Sequence, residues 1–437
     1  MKKTILLSFA ILISHNSFLY SQSGWVAQQS NTTVKLNKVF FINSQTGWVV
    51  GESGKIIKTT NSGANWTLQV SGTNHTLRSV YFLNDLVGYA IGGNYYSLTI
   101  SFKLILKTTN GGDSWFTSFY SPDFYKSFSD ICFFNTNTGY GLGFGGNESE
   151  SLGIITETTD GGNTWTESQT HSANIAVQFK GNKHGWIISN YYSDVYPDSL
   201  IVLKYDISGS NWSNVFSASQ GFVSSSCFMN TTTGWIAGIT NVSGFNKDLI
   251  LKTTDGGINW ENFNLTTLSF INSIFFSSND TGWYCSSGIF KSTNSGANWI
   301  NQIPSNGSDY YTSINFIDNK TGWVVGSNGK ILSTVTGGIN SLSLLNENIP
   351  DNFTLNQNYP NPFNPKTIIN FQLSMINYVK LKVFDALGRQ VTTLVDEKLS
   401  SGSYEVEFDA GNYPSGIYYY KLEAGSFSEV RKMILVK

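Results

Sequence analysis

Few residues in this chain could do hydrolytic chemistry. Asp130, Glu148, Glu150 and Asp194 are the candidate acids. Two such carboxyls about 5–9.5 Å apart across a cleft would suit cleavage of a glycosidic bond. Lys38, Arg78 and Asp130 each stand near the start of an apolar run, among Asn, Ser and Thr, where they would form a small polar site. The four histidines, His15, His75, His171 and His184, are scattered, with no HExxH and no Cys/His cluster, so no zinc site is implied. GxSxG and a phosphate-binding glycine loop are absent, which sets aside serine hydrolase and nucleotide chemistry. Cys132, Cys227 and Cys285 lie in apolar runs without CxxC spacing, as expected of buried free thiols. No catalytic group, cofactor or metal site is assigned.

Aromatic residues are more plentiful. They make up 15% of the 437 residues, against 13% charged, and the net charge of −2 gives no footprint for nucleic acid. Four stretches, 93–103, 143–153, 189–199 and 238–248, read as long loops carrying Tyr95, Tyr96, Phe102, Phe144, Tyr191, Tyr192, Tyr196 and Phe245. Phe124, Tyr125, Tyr310 and Tyr311 stand in shorter connecting stretches. Tyrosine is amphipathic and loses little entropy on binding, so such a face suits a sugar or a protein.

These loops interrupt a repeat that must position them. Residues 249–260, Leu-Ile-Leu-Lys-Thr-Thr-Asp-Gly-Gly-Ile-Asn-Trp, recur with variation at Trp66, Trp115, Trp165 and Trp299, and in degraded form at Trp212 and Ser341. Each copy follows a Gly-Trp or Gly-Tyr pair, beginning at Gly47, Gly88, Gly139, Gly185, Gly234, Gly282 and Gly322. Each pair follows an apolar run such as KVFFIN or SVYFLN. Four extended pieces repeated seven times predict an all-β, seven-bladed propeller over 22–341. The last copy lacks its tryptophan, while Gly24-Trp25 stands unclaimed at the front. Residues 25–30 are therefore expected to close the last blade as its outer strand, leaving no open edge.

Thr158-Thr159-Asp160-Gly161-Gly162-Asn163-Thr164-Trp165 resembles the Asp-box of sialidase-like propellers. The full rhythm of 24–341 most resembles the seven-bladed photosystem II assembly-factor type. The resemblance implies that the box is a structural turn, and that the long loops share the opposite face. Sialidases hold their substrate with three arginines; this region has only Arg78, which argues against that activity. The leading expectation is a non-enzymatic binding module for a surface glycan or protein, through Tyr95, Tyr96, Phe144, Tyr191, Tyr192, Tyr196, Phe245, Tyr310, Tyr311, Arg78 and Asp130. The rival readings are a secreted glycoside hydrolase and a purely structural surface component.

The two ends of the chain address its destination. Residues 1–21 read as a signal peptide, with Lys2 and Lys3 before an apolar run too short to span a bilayer. No other stretch reaches spanning length. Residues 342–349 read as a linker. Over 350–437 a strand pattern returns, with the alternation expected of a half-buried Ig-like sandwich. Its motifs resemble the type A sorting domain of the type IX secretion system: Pro360-Asn361-Pro362-Phe363, a turn at Gly388-Arg389, the run from Gly416 through Tyr418 to Lys421, and an ending from Lys432 to Lys437. The resemblance implies the type IX machinery as partner, and a protein secreted from, or attached to the outer surface of, a Gram-negative bacterium.

Overall fold

The computed structural model describes residues 24–93, 101–123, 126–147, 150–170, 172–180, 184–191, 199–206, 211–219, 221–242, 245–265, 269–305, 307–338, 342–346, 350–411 and 413–437. It divides into two compact units, one built from Gly24–Ile339 and one holding 340–437. The first comprises seven four-stranded antiparallel sheets. Blade one runs Leu36–Phe41, Gly47–Gly51, Ile56–Thr59 and Thr67–Gln69, from the channel outward. Blades two to six repeat that order, with inner strands Leu77–Phe82, Lys126–Phe133, Ala173–Lys180, Gly221–Phe228 and Ser273–Phe276. Blade seven contributes only Tyr311–Phe316, Gly322–Gly326 and Ile331–Thr334 from its own stretch. Its fourth strand is Val26–Gln28, with Val26 opposite Ser333 and Gln28 opposite Ile331.

The repeated aromatic residues lock each blade to the next. The aromatic of every Gly-aromatic pair faces the last Phe of the following inner strand. Ring centroids are 3.5 Å apart for Trp48 and Phe82, 4.0 Å for Tyr89 and Phe133, and 3.4 Å for Trp323 and Phe41, where the last blade meets the first. The turn tryptophan then meets the same Phe edge-on, as Trp66 does Phe41 at 5.9 Å and 89°. In blade seven, Trp25 takes this place against Phe316, at 5.8 Å and 84°. The glycine of each pair lies beneath the Phe ring of its own blade. A Cβ at Gly234 would meet the Phe228 ring at 2.3 Å, so only glycine lets strand and ring close together.

The Asp-box turns complete these joints. In each well-formed copy a Thr or Ser hydroxyl accepts the N–H four residues on, as Thr253 does from Gly257 at 2.8 Å. The indole N–H of Trp48, Trp186, Trp235, Trp283 and Trp323 donates to the box backbone of the next blade, at Gly111, Gly256, Ser295, Gly337 and Ser62. Tyr89 does the same to Gly161. The exception is Tyr140, whose hydroxyl donates to Glu157 in its own blade. It faces blade four, whose box is the degraded Trp212 copy. Glu157 there replaces the lysine found opposite Trp48 (Lys58) and Trp235 (Lys252), which sits over the ring.

Two of these turns titrate. Hydrogen bonds from Thr164, first from its hydroxyl, hold the Asp160 carboxyl at about 2; the backbone N–H of Asn259 leads in doing so for Asp255. A depressed folded pKa gives stabilisation that is complete above the unfolded value and lost as pH falls through the folded one. Amide protection at Thr164 and Asn259 should therefore fall between pH 3.8 and about 2 in hydrogen exchange. Protection at Ser114 and Asn298, bonded to the neutral amides of Asn110 and Asn294, should hold across that window.

Three expectations need correction. Two of the stretches read as long loops, 143–153 and 238–248, are extended hairpins: Gly139–Asn147 pairs with Glu150–Thr158, and Gly234–Val242 with Phe245–Thr253, while most of 93–103 and 189–199 lies outside the described residues. Their strands simply outrun the repeat, which glycine and polar residues made hard to see in the sequence. Residues 342–349 are not all linker, since Leu342–Asn346 pairs with Gly402–Asp409; the Leu-Ser-Leu alternation is a strand signal. Tyr311, expected on an exposed face, is fully buried because it opens the inner strand of blade seven.

The second unit is a sandwich of two four-stranded sheets. Leu342–Asn346, Gly402–Asp409, Lys366–Leu373 and Thr354–Leu355 form one, and Gln390–Leu399, Asn377–Asp385, Gly416–Ala424 and Phe427–Leu435 the other. Val379, Leu381, Val406, Phe371 and Leu422 fill the space between them.

Candidate functional site

The propeller's inner strands surround a central channel. In six blades the register shifts at one bulged residue near the channel mouth: Asn37, Arg78, Ser129, Ile175, Ser224 and Thr312. A bulge re-aims its side chain, here into the channel mouth. Most of these side chains are scaffold. Asn37 donates to the Leu77 carbonyl at 2.8 Å, Ser129 to Asn174 at 2.8 Å and Thr312 to Leu36 at 2.6 Å, each reaching the next blade. Ser224 reaches Ile271, and Asn272, the counterpart in blade six, reaches Tyr311. One step deeper, Ser225, Ser273 and Ser313 accept the backbone N–H of Ile274, Ile314 and Val39.

Arg78 departs from this pattern. Its side chain is too long for the carbonyl staple, and its Nε donates to Ser127 Oγ at 3.3 Å. It lines a cavity of about 410 Å³ together with Lys38, Lys180 and Asp130. Asp130 accepts the Ser79 hydroxyl at 2.6 Å on one oxygen and the Val177 N–H at 3.1 Å on the other, and Lys38 Nζ stands 4.0 Å away. Both carboxylate oxygens are thus engaged by the protein. Phe40, Tyr81, Cys132, Cys227 and Phe275 line the apolar part of the cavity. Burial pushes the Cys132 thiol up to about 12, so it is not a nucleophile near neutral pH. Tyr310 donates its hydroxyl to Asn272 Oδ1 at 2.7 Å, and Lys35 Nζ lies 5.8 Å over its ring.

The structure brings Arg78 and Asp130 into one cavity and ties Tyr310, through Asn272, to its lining. It places Phe144 in the Gly139–Asn147 hairpin strand, opposite Gly153. Tyr95, Tyr96, Tyr192, Tyr196, Glu148 and Asp194 lie outside the described residues, as do the side chains of Tyr191, Phe245 and Glu150. Sequence reasoning missed Lys180, which follows an ordinary strand phenylalanine, and the stack of His75 on Phe102 at 4.8 Å. Among the described residues, no three His, Cys, Asp or Glu side chains converge as a metal site would require.

In the second unit the signature residues divide into core and surface. Phe363 and Tyr418 are buried, and Gly388 takes φ +78° in a turn. The Pro-rich segment clasps the final strand: the Phe363 N–H donates to the Ile434 carbonyl at 2.9 Å, and the Val436 N–H to the Phe363 carbonyl at 3.0 Å. Asn361 Oδ1 accepts the Ile434 N–H at 2.9 Å, and Gln357 donates to the Lys432 carbonyl at 2.8 Å. Residues 357–437 match the family described as secretion system C-terminal sorting domain. The chain ends in a type IX secretion sorting domain. Motifs at the two ends of the sorting domain thus form one structural element. For the propeller, the similar solved structures include YCF48 bound to D1 peptide (18% identity, TM-score 0.55, 72% of this chain and 97% of that one). YCF48 from Cyanidioschyzon merolae gives 16% and 0.53, covering 71% and 98%; the WD40 propeller domain of Doa1 gives 12% and 0.50, covering 70% and 96%. At such identities these likenesses show the propeller fold. No curated protein matches the chain.

Proposed function

We propose that this chain is an exported binding protein, secreted or held at the cell surface, whose propeller seats an anionic group of a glycan or protein at the channel mouth. The carrying observation is the charge at the mouth: among the described residues Lys38 and Arg78 line it against Asp130, whose oxygens serve Ser79 and Val177, and Lys180 adds a further positive charge from the far end of its strand. Its volume falls within the roughly 300–1,000 Å³ of small-ligand sites. Arg78 offers a planar donor fork suited to a carboxylate or sulfate.

The test is an array carrying uronate and sulfated glycans, acidic peptides and their neutral counterparts, probed with the purified full chain. Binding should track the acidic members. Arg78→Gln should weaken it roughly 10-fold to 100-fold, as expected for one charge-assisted hydrogen bond. Equal binding of neutral members, or no effect of Arg78→Gln, would overturn the reading.

A further inference from the structure

We propose that the outer face of the sheet formed by Asn377–Asp385, Gly416–Ala424 and Phe427–Leu435 is the surface on which a protein receptor of the export machinery docks. This rests on the reading that the sorting domain directs export. The inner residues of these strands fill the sandwich, so the alternate ones face outward. A solvated sheet face is ordinarily polar. This one carries Tyr378, Ile417, Tyr419 and Val430, which are 54%, 42%, 37% and 53% exposed. Among the described residues, nine of the twenty exposed large apolar side chains lie in this unit, about a fifth of the chain, so the exposure is concentrated there.

Lysines are set between these apolar groups. Lys380, Lys382, Lys421 and Lys432 share the face with Glu423, which sits 2.6 Å from Lys421, and on the sheet's fourth strand, Gln390–Leu399, Asp396 stands in register opposite Lys380 and Lys398 opposite Tyr378. Lys382 and Lys421 stand directly opposite each other across adjacent strands. Like charges so placed destabilise a sheet, and Glu423 offsets part of that repulsion. The Glu423 carboxyl is held below its usual range by Lys421, with Lys382 and Lys380 adding to the effect. The outer face of the other sheet carries Glu405 and Glu407, the latter paired with Lys366. The two faces therefore differ in charge: the first is apolar with an excess of lysine, and the second carries one carboxylate, Glu405, beyond its Lys366–Glu407 pair. The complement of the first is a protein surface with acidic groups around apolar pockets. Phe363 and Tyr418 are buried in the sandwich core, whereas Tyr419 and Lys432 are cross-strand neighbours on the proposed surface.

The experiment uses the full chain in a host with the type IX machinery. One variant carries Tyr419→Glu with Val430→Glu, a second Lys382→Glu with Lys432→Glu, and a control Glu405→Lys with Glu407→Lys. Lys382→Glu places opposite charges across the strands, so loss of export in that variant does not arise from a weakened sheet. Both face variants should reach the medium or cell surface about tenfold less, with matching periplasmic accumulation and unchanged thermal unfolding. The control should be exported normally. Normal export of both face variants, or an equal loss in the control, would overturn the proposal. Retained export alongside lost binding to vesicles containing anionic lipid would also overturn it, by making the face a lipid surface. Normal export of a chain truncated after residue 341 would instead overturn the sorting reading itself.

Discussion

Deletion of residues 24–31 is expected to lower the propeller's melting temperature by on the order of 10 °C and to broaden the transition. The deletion removes the outer strand of blade seven, exposing the backbone edge of Ile331–Thr334. It also removes Trp25 from Phe316. Loss of one such indole from a core costs about 3–5 kcal/mol. A third loss falls on the neighbouring blade. Gln28 accepts the Trp66 indole N–H at 3.1 Å and donates to the Ser62 carbonyl at 2.9 Å. The single change Trp25→Ala should give most of the effect, and Gln28→Ala a smaller one. Calorimetry on the purified chain reads all three.

Removal of residues 432–437 is expected to abolish export. It takes away Met433 and Leu435, both buried in the sandwich core, and the backbone to which Asn361 and Phe363 are bonded. Two buried side chains of this size represent about 4–10 kcal/mol, enough to unfold a domain of ordinary stability. Limited proteolysis should show the sorting domain cut while the propeller survives, because the final strand belongs wholly to the second unit. Extracellular protein, measured in a type IX-competent host, should fall below detection. This loss differs from that expected of the outer-face variants, which keep the fold and lose the receptor.

The scaffold was legible in the sequence because the repeat writes each contact seven times. Gly-aromatic pairs, apolar inner runs and Thr-Thr-Asp-Gly-Gly turns each have one physical job, and a single missing tryptophan at Ser341 pointed to Trp25. The site was less legible. Arg78 and Asp130 could be singled out as charges at polar strand starts, but Asp130's engagement with Val177 and Ser79 depends on blades that only the closed ring brings together. Lys180 gave no signal, since its place on the channel depends on the twist of its strand. Tyr311 misled because adjacent tyrosines read alike: Tyr310 remains exposed, while Tyr311 turns into the core. In the sorting domain the Pro-rich motif was legible as part of a signature, but not its bonds to the final strand, which join residues more than seventy positions apart.

We read the channel mouth as an anion-binding seat on an exported scaffold. Titration calorimetry of an acidic oligosaccharide or peptide selected from the array, against the wild-type chain and against Lys38→Met with Arg78→Gln, tests it most directly. An anion seat there gives saturable binding that weakens with added salt in the wild type, and loss of that binding in the double variant at an unchanged melting temperature. Undiminished binding by the double variant would contradict it.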